Sequence, residues 1–101
     1  MIARAWHGMT PAAKADAYAD FLNRIGLKDY FATPGFRGVY ALRRIEGDHA
    51  HFLLISLWDS MDAIRKFAGP EPEKAVYYPE DKDFLLEFEP HVTHYEVLVR
   101  P

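Results

Sequence analysis

Side chains that can take part in acid–base chemistry are most concentrated in the last predicted strand, HVTHYEV, which spans residues 91–97. Because alternate residues of a strand point to opposite faces of a sheet, His94 and Glu96 share one face and Tyr95 lies on the other. A carboxylate beside an imidazole raises the pKa of the imidazole toward neutrality, which suits a general base. His94 is therefore the candidate catalytic base. The alternative is that His94 and Glu96 only occupy a sheet face or a dimer contact.

A second set of candidates combines arginines with aromatic side chains on the first two predicted strands. Arg4 and Trp6 share a face of strand one, whereas Tyr40 and Arg43 have opposite parity on strand two. An arginine beside an aromatic ring can bind a planar anion such as a phenolate, and it stabilises negative charge that develops during an oxygenation. The alternative is that these arginines form ion pairs across a dimer.

Three further aromatic residues are candidates for contact with a flat ligand. Tyr77 and Tyr78 lie in the longest irregular connection of the chain. Long connections often form pocket walls or lids, so these tyrosines are expected either to close an aromatic cavity or to fix the connection onto the domain. Trp58, at the end of strand three, is favoured as a core anchor over a ligand contact.

Composition and motifs exclude several classes of function. The chain has no cysteine, which rules out disulfides, thiolate nucleophiles and sulfur-ligated metals. His49 and His51 share a strand face beside Asp48, but without an evident third ligand we predict surface residues and no metal ion. A net charge of -3 with scattered basic residues predicts no nucleic acid partner. Glycine-rich phosphate loops and dinucleotide-binding motifs are absent from the sequence.

The hydropathy of the chain bears on its location. No apolar run approaches the length that spans a membrane, and the N-terminal residues MIARAWHG do not resemble a signal peptide. We therefore expect no membrane partner and a cytoplasmic location.

These candidates must be positioned by the secondary-structure elements. The predicted order is β-α-β-β-α-β within a single domain that covers residues 1–101. This order is the split βαβ pattern of the α+β ferredoxin-like fold, which has an antiparallel sheet with helices on one face.

Local signals set the expected boundaries of these elements. Helix one is predicted to start at Thr10 and Pro11 and to end at Gly26. The residues EGD join strands two and three in a hairpin, and Ser60 caps helix two. Four prolines limit residues 70–90 to two brief helical turns before the final strand, which is expected over residues 91–99.

The apolar pattern of strand three predicts that a second copy of the chain packs against the sheet. It is apolar at both parities, so both of its faces must be covered, although two helices can cover only one. The residues are Leu53, Ile55 and Leu57 on one face and Phe52, Leu54 and Trp58 on the other. We therefore expect a homodimer that packs sheet against sheet.

The segments SLWDSMDAIRKFAG, YYPEDKDFL and HYEV, together with the order of elements, resemble the antibiotic biosynthesis monooxygenase-like family. The resemblance implies a dimeric α+β barrel and a ligand cavity in each subunit between sheet and helices. The family includes cofactor-free oxygenases, haem-degrading enzymes and polyketide cyclases, so the resemblance is more specific for the fold than for the reaction.

The resemblance also allows a comparison with the haem-degrading relatives. Their Trp and their iron-ligating His correspond by spacing to Phe67 and Tyr77 here, and their Asn on strand one has no counterpart. A tyrosine can ligate ferric haem, so Tyr77 keeps haem as an alternative cofactor, but the missing His argues against the usual haem-degrading activity.

The resemblance and the residues lead to one hypothesis with two alternatives. The chain is predicted to be a cofactor-independent monooxygenase of a phenol, quinol or anthrone-like compound. His94 would be the base, and Arg4 or Arg43 with Trp6 would hold the anion. The alternatives are polyketide cyclase or lyase chemistry with the same base, and a non-catalytic dimer that binds haem or a small aromatic molecule.

Overall fold

Four antiparallel strands form a single sheet. The computed structural model describes all residues, Met1–Pro101. The strands are β1 (Ile2–Pro11), β2 (Phe36–Glu46), β3 (His49–Trp58) and β4 (Thr93–Glu96). Their order across the sheet is β2-β3-β1-β4, and each neighbouring pair is antiparallel. The predicted α+β ferredoxin-like fold is confirmed.

The helices cover one face of this sheet. They are α1 (Ala15–Phe21), α2 (Lys28–Ala32) and α3 (Met61–Ala68). Tyr18 of α1 packs edge-on against Phe52, with ring centroids 4.9 Å apart. Tyr30 of α2 and Phe67 of α3 both pack on Trp58. Because Phe52 and Trp58 share one face of β3, all three helices lie on the same side, as predicted. No helix is long and apolar enough to cross a membrane.

The first helical segment differs from its prediction at both ends. Thr10 and Pro11 are the last residues of β1 and pair with β3, and no side chain caps the 3-10 turn that follows. The long antiparallel ladder of β1 with β3 outweighs the local capping signal. Gly26 has no left-handed backbone; it ends a π-helical turn, Leu22–Gly26, after which α2 forms.

The structure confirms the predicted hairpin before β3 and the predicted helix cap after it. The hairpin between β2 and β3 turns through Gly47, whose φ of 58° is in the left-handed region that favours glycine. At the start of α3, the Oγ atom of Ser60 accepts a hydrogen bond of 3.2 Å from the backbone N–H of Ala63. The helix ends at Gly69, where φ is 92°.

Residues 69–92 form the connection between α3 and β4. It contains one 3-10 turn, Pro79–Asp83, in place of the two predicted helical turns, and β4 is shorter than expected. The backbone N–H of Leu86 donates a hydrogen bond of 2.8 Å to the carbonyl of Met9. The connection therefore lies beside the second half of β1, which β4 is too short to reach.

The second face of the sheet carries no helix. Tyr40, Leu42 and Leu53 lie on this open face, and they are 53, 48 and 37% exposed. The apolar pattern of strand three predicted an apolar sheet face that no helix covers, and the structure has such a face.

Candidate functional site

The candidate site is centred on two cationic or basic side chains that meet on the helix-covered face. Arg4 of β1 is directly opposite His94 of β4 in the antiparallel register. Arg4 is only 1% exposed. Its Nη2 atom donates a hydrogen bond of 2.9 Å to the carbonyl of Lys74, while its Nε atom and the Nε2 atom of His94 are buried without any hydrogen-bond partner. Buried polar atoms without a partner are uncommon in proteins, so these two nitrogens mark the pair as a candidate functional site.

The environment of His94 differs from the sequence prediction. Glu96 was expected to raise its pKa, but burial lowers the pKa of His94, the positive charge of Arg4 lowers it further, and only Glu73 opposes them. Glu96 has no part in this balance, and the charge next to the imidazole is that of Arg4. His94 is therefore neutral at physiological pH, which is the state that accepts a proton.

Burial also acts on Arg4 itself. Burial lowers the pKa of Arg4, and the nearby hydroxyl of Tyr30 raises it in part. The guanidinium carbon lies 5.4 Å from the ring centroid of Phe67, in a cation–π arrangement. A buried arginine that no carboxylate neutralises can stabilise an anionic ligand.

The aromatic wall behind Arg4 belongs to the core. The Phe67 ring centroid lies 4.4 Å from that of Tyr30 and 5.4 Å from that of Trp58. Trp58 is fully buried, and its Nε1–H donates a hydrogen bond of 2.9 Å to the Oγ atom of Ser56. Its position fits a core anchor. Tyr30 was not a sequence candidate, because the segment that contains it gave no helical signal.

A small cavity extends from this wall between the sheet and the helices. It has a volume of about 20 Å³, and its lining includes Trp6, Tyr30, Tyr78 and Asp81. This volume accommodates about one water molecule. An aromatic ligand does not fit into this volume as it stands.

Asp81 places a carboxyl group in this mostly apolar cavity. It is 4% exposed and accepts a hydrogen bond of 2.7 Å from the backbone N–H of Tyr78 and one of 3.4 Å from the hydroxyl of Tyr18. Burial raises the pKa of Asp81, and the Tyr78 N–H opposes this rise. The sequence analysis did not identify Asp81 as a candidate. The available signal was its position two residues after Pro79, which suits a capping carboxylate at a helical start.

The two candidate tyrosines of the connection are both engaged in hydrogen bonds. The Nε1–H of Trp6 donates a hydrogen bond of 3.3 Å to the Tyr77 hydroxyl, which in turn donates one of 2.6 Å to the carbonyl of Glu89. The Tyr78 hydroxyl donates a hydrogen bond of 2.6 Å to Asp29 of α2. Burial raises the pKa of both hydroxyls. Both tyrosines therefore fix the connection onto the domain, and Tyr78 also lines the cavity.

The remaining candidates lie apart from this site. Arg43 is on β2, the edge strand opposite β4, where its Nη1 atom forms an ion pair of 2.7 Å with Asp16 of α1. Tyr40 is on the open face. The sheet therefore brings together Arg4, Trp6 and His94 but not the arginine and tyrosine of β2.

Comparisons with known proteins add evidence on the fold. No family model and no curated protein matches the sequence. Solved structures do match, among them the haem-degrading MhuD from Mycobacterium tuberculosis with two haems in its active site. That match has a TM-score of 0.67 and 16% identity, and it covers 100% of this chain and 99% of MhuD.

Two other structures give similar values. A point mutant of MhuD with two manganese protoporphyrin IX molecules per active site has a TM-score of 0.63 and 17% identity, over 100% of this chain and 98% of that one. A proposed antibiotic biosynthesis monooxygenase from Bacillus cereus has a TM-score of 0.62 and 14% identity, over 99% and 93% of the two chains. At this identity the matches establish a shared fold along the whole chain.

Proposed function

We propose that this chain, which has the fold of antibiotic biosynthesis monooxygenase-like proteins, is a cofactor-independent monooxygenase of a small aromatic compound. The observation that carries the proposal is the pair of buried, unpartnered nitrogens on His94 and Arg4. A neutral imidazole next to a guanidinium is suited to remove a proton from a weakly acidic substrate and to hold the anion that results.

The reaction of an anthrone-like substrate illustrates the roles. His94 takes a proton from the reactive CH₂ group, and Arg4 stabilises the resulting enolate. The enolate donates electrons to O₂, and a carbon–oxygen bond forms to give a peroxide. Loss of water converts the peroxide to a ketone, so that CH₂ and O₂ become C=O and H₂O. His94 returns its proton to the oxygen that leaves.

The aromatic residues supply the binding surface for such a substrate. Trp6 and Tyr30 line the cavity, and the Phe67 ring stacks on the guanidinium of Arg4. A flat ring that entered here would have to displace Tyr78, which lines the cavity. Burial of a planar apolar molecule between such rings is favourable because it removes apolar surface from water.

Oxygen uptake with a reactive anthrone or quinol tests the proposal. We expect uptake above the spontaneous rate, and a decrease of about 10²-fold or more in His94→Gln, because a positioned base contributes at least that factor. Tyr95→Phe is the matched control, since Tyr95 is the next residue of β4 and points to the open face. Equal uptake by the wild type and His94→Gln contradicts the proposal. Substrate turnover without oxygen uptake would indicate cyclase or lyase chemistry with the same base.

A non-catalytic role in haem binding is the second candidate, and the haem-bound MhuD structures of the same fold favour it. The residues as they stand here do not fit haem. The cavity of about 20 Å³ is far smaller than the ring. The hydroxyl of Tyr77, the expected iron ligand, is engaged with Trp6 and Glu89. A haemin titration decides the question: a Soret band that is lost in Tyr77→Phe would establish haem binding.

We further propose that a second copy of the chain covers the open face of the sheet. The exposed apolar side chains of Tyr40, Leu42 and Leu53 support this arrangement. Sedimentation of the wild type is expected to give a dimer, and Tyr40→Glu is expected to give a monomer. Phe31→Glu is the control, because Phe31 is 68% exposed but lies on α2, away from this face. A wild-type monomer would contradict the dimer.

A further inference from the structure

Asp81 is a buried carboxyl group that the proposed reaction does not use. It lines the small cavity between the sheet and the helices, and it is the only charged residue of that lining. Trp6 and Leu54, which are paired in the sheet and buried beneath the helices, line the same cavity. The cavity is therefore on the helix-covered side, away from the open face where a second copy of the chain is proposed to pack.

The two oxygen atoms of Asp81 have different surroundings. The Oδ2 atom accepts a hydrogen bond of 2.7 Å from the backbone N–H of Tyr78, at the start of the 3-10 turn Pro79–Asp83. The Oδ1 atom has only the hydroxyl of Tyr18, at 3.4 Å. Hydrogen bonds from a hydroxyl to an oxygen are usually about 2.7 Å long, so this contact is weak. The capping role thus accounts for Oδ2, but it leaves most of the acceptor capacity of Oδ1 unused.

A donor in the cavity can reach the Oδ1 atom. Tyr18 and Asp81 both line the cavity, so the contact between them lies at its wall. Each carboxylate oxygen can accept about two hydrogen bonds, which leaves room for a donor in addition to the Tyr18 hydroxyl. The volume of about 20 Å³ accommodates one group the size of a water molecule. The cavity therefore matches a single hydroxyl group rather than a ring.

The carboxyl group of Asp81 also selects the kind of donor. A carboxylate on the ligand would be repelled, and an ammonium group would lose its hydration among mostly apolar side chains. A neutral hydroxyl loses less hydration, and its hydrogen bond to a carboxylate is strong. Because a hydroxyl both donates and accepts hydrogen bonds, it can pair with the carboxyl group in either protonation state.

The cavity is connected to the proposed catalytic pair by two packed rings. Tyr30 lines the cavity, its ring centroid lies 4.4 Å from that of Phe67, and the Phe67 centroid lies 5.4 Å from the guanidinium carbon of Arg4. One face of the sheet therefore carries a carboxyl group suited to a hydrogen-bond donor and a guanidinium suited to an anion. A molecule that meets both has a neutral hydroxyl at one position and a group that loses a proton at another.

We propose that Asp81 is a specificity-determining residue, whose Oδ1 atom accepts a hydrogen bond from a hydroxyl substituent of the aromatic substrate. This role rests on the proposed function, because it names a feature of the same substrate. The substrate is then a hydroxylated aromatic compound, bound through one hydroxyl at Asp81 while His94 acts at another position. An analogue without this hydroxyl displaces water from Oδ1 and offers no donor in return, so the site discriminates against it.

Phenol and toluene are the probes for this role, because a hydroxyl and a methyl group are similar in size. Both are titrated into the wild type without oxygen, so that no oxygenation contributes, and the amide signals of Tyr78 and Asp81 are followed by nuclear magnetic resonance. Phenol is expected to bind saturably and to shift both signals. Phenol that leaves both signals unchanged would overturn the proposal.

Asp81→Asn tests the role of the Oδ1 atom. The amide oxygen still accepts the N–H of Tyr78, but an NH₂ donor replaces the second acceptor. The ratio of phenol affinity to toluene affinity is expected to fall about fivefold or more, because a hydrogen bond to a charged acceptor is lost. Asp83→Asn, at an exposed position of the same turn, is the matched control and should keep the wild-type ratio. An unchanged ratio in Asp81→Asn would overturn the proposal.

These titrations are separate from the test of the oxygenase. Loss of phenol discrimination in Asp81→Asn, together with no oxygen uptake by the wild type, would support the role of Asp81 in a binding protein and contradict only the oxygenase. Oxygen uptake that depends on His94, together with an unchanged ratio in Asp81→Asn, would overturn only the role of Asp81.

Discussion

Arg4 and His94 are directly opposite each other on β1 and β4, and each has a buried nitrogen that no other group in the protein satisfies. Neighbouring strands of a sheet bring residues from opposite ends of the chain into contact, and here they join a cation and a neutral base. The pair is therefore poised for an anion that forms by proton loss, with the base and the stabilising charge side by side.

The first prediction concerns Arg4→Met. Removal of the charge is expected to raise the pKa of His94, because Arg4 lowers it in the wild type. The free energy of unfolding is expected to stay within about 1 kcal/mol of the wild type, since relief of the desolvation cost offsets the lost hydrogen bond to Lys74. Histidine NMR and urea unfolding measure the two effects. A destabilisation of about 3 kcal/mol or more would mean instead that Arg4 acts as a structural tether.

A second prediction links His94 to the pH dependence of stability. Because the folded-state pKa of His94 is lower than its ordinary value of 6.5, the unfolded chain binds the proton more readily. The contribution of His94 to stability is thus present above the unfolded value and is lost as the pH falls toward the folded one. His94→Gln is expected to flatten the decrease in unfolding midpoint over this range. An identical pH profile in the variant would refute the assignment.

Asp81 is expected to show the opposite linkage. Its folded-state pKa is raised by burial, so its stabilising contribution is present below the unfolded pKa and is lost as the pH rises through the folded value. At neutral pH Asp81→Asn should therefore increase stability, because an amide oxygen still accepts the Tyr78 N–H but carries no charge. Asp83→Asn, at an exposed position of the same turn, is the control. Urea unfolding at acid and neutral pH should show a gain for Asp81→Asn only at neutral pH.

The fourth prediction concerns the packing of Trp6 over Gly8. A Cβ atom at residue 8 would overlap the indole of Trp6 and lie 3.1 Å from the Cδ2 atom of Leu85. Trp6 is buried, and the cavity of about 20 Å³ that it lines is too small to take a displaced indole, so Gly8→Ala is expected to destabilise the fold by about 1–3 kcal/mol. The change should also weaken the bond from Trp6 to Tyr77, which tryptophan fluorescence reports. An unaltered unfolding midpoint and spectrum would show that the indole can move freely.

The sequence predicts those features that depend on neighbouring residues. The hairpin at Gly47 and the cap at Ser60 each need only a few adjacent positions, and the alternation in β3 establishes two apolar faces. Thr10 and Pro11 show the limit of such signals, since strand pairing with residues far along the chain overrides a good local cap.

The partners of the polar side chains could not be predicted in the same way. The contact of His7 with His51 depends on the register of β1 against β3, and the charge beside His94 depends on that of β1 against β4. Asp81 is buried only because the connection of residues 69–92 folds back onto α1 and β1. Parity identified the face of each residue, but it could not identify the partner.

Glu89 connects the two faces of the sheet. Its backbone carbonyl accepts the hydrogen bond of Tyr77, which holds Trp6 on the helix-covered side, and its carboxylate contacts His7 on the open side. Trp6 and His7 are adjacent residues of β1 that point in opposite directions. A molecule that displaces Tyr77 would remove the hydrogen bond that Tyr77 donates to the carbonyl of Glu89. Glu89 thus ties the tyrosine and tryptophan beneath the helices to a histidine on the open face through a single residue.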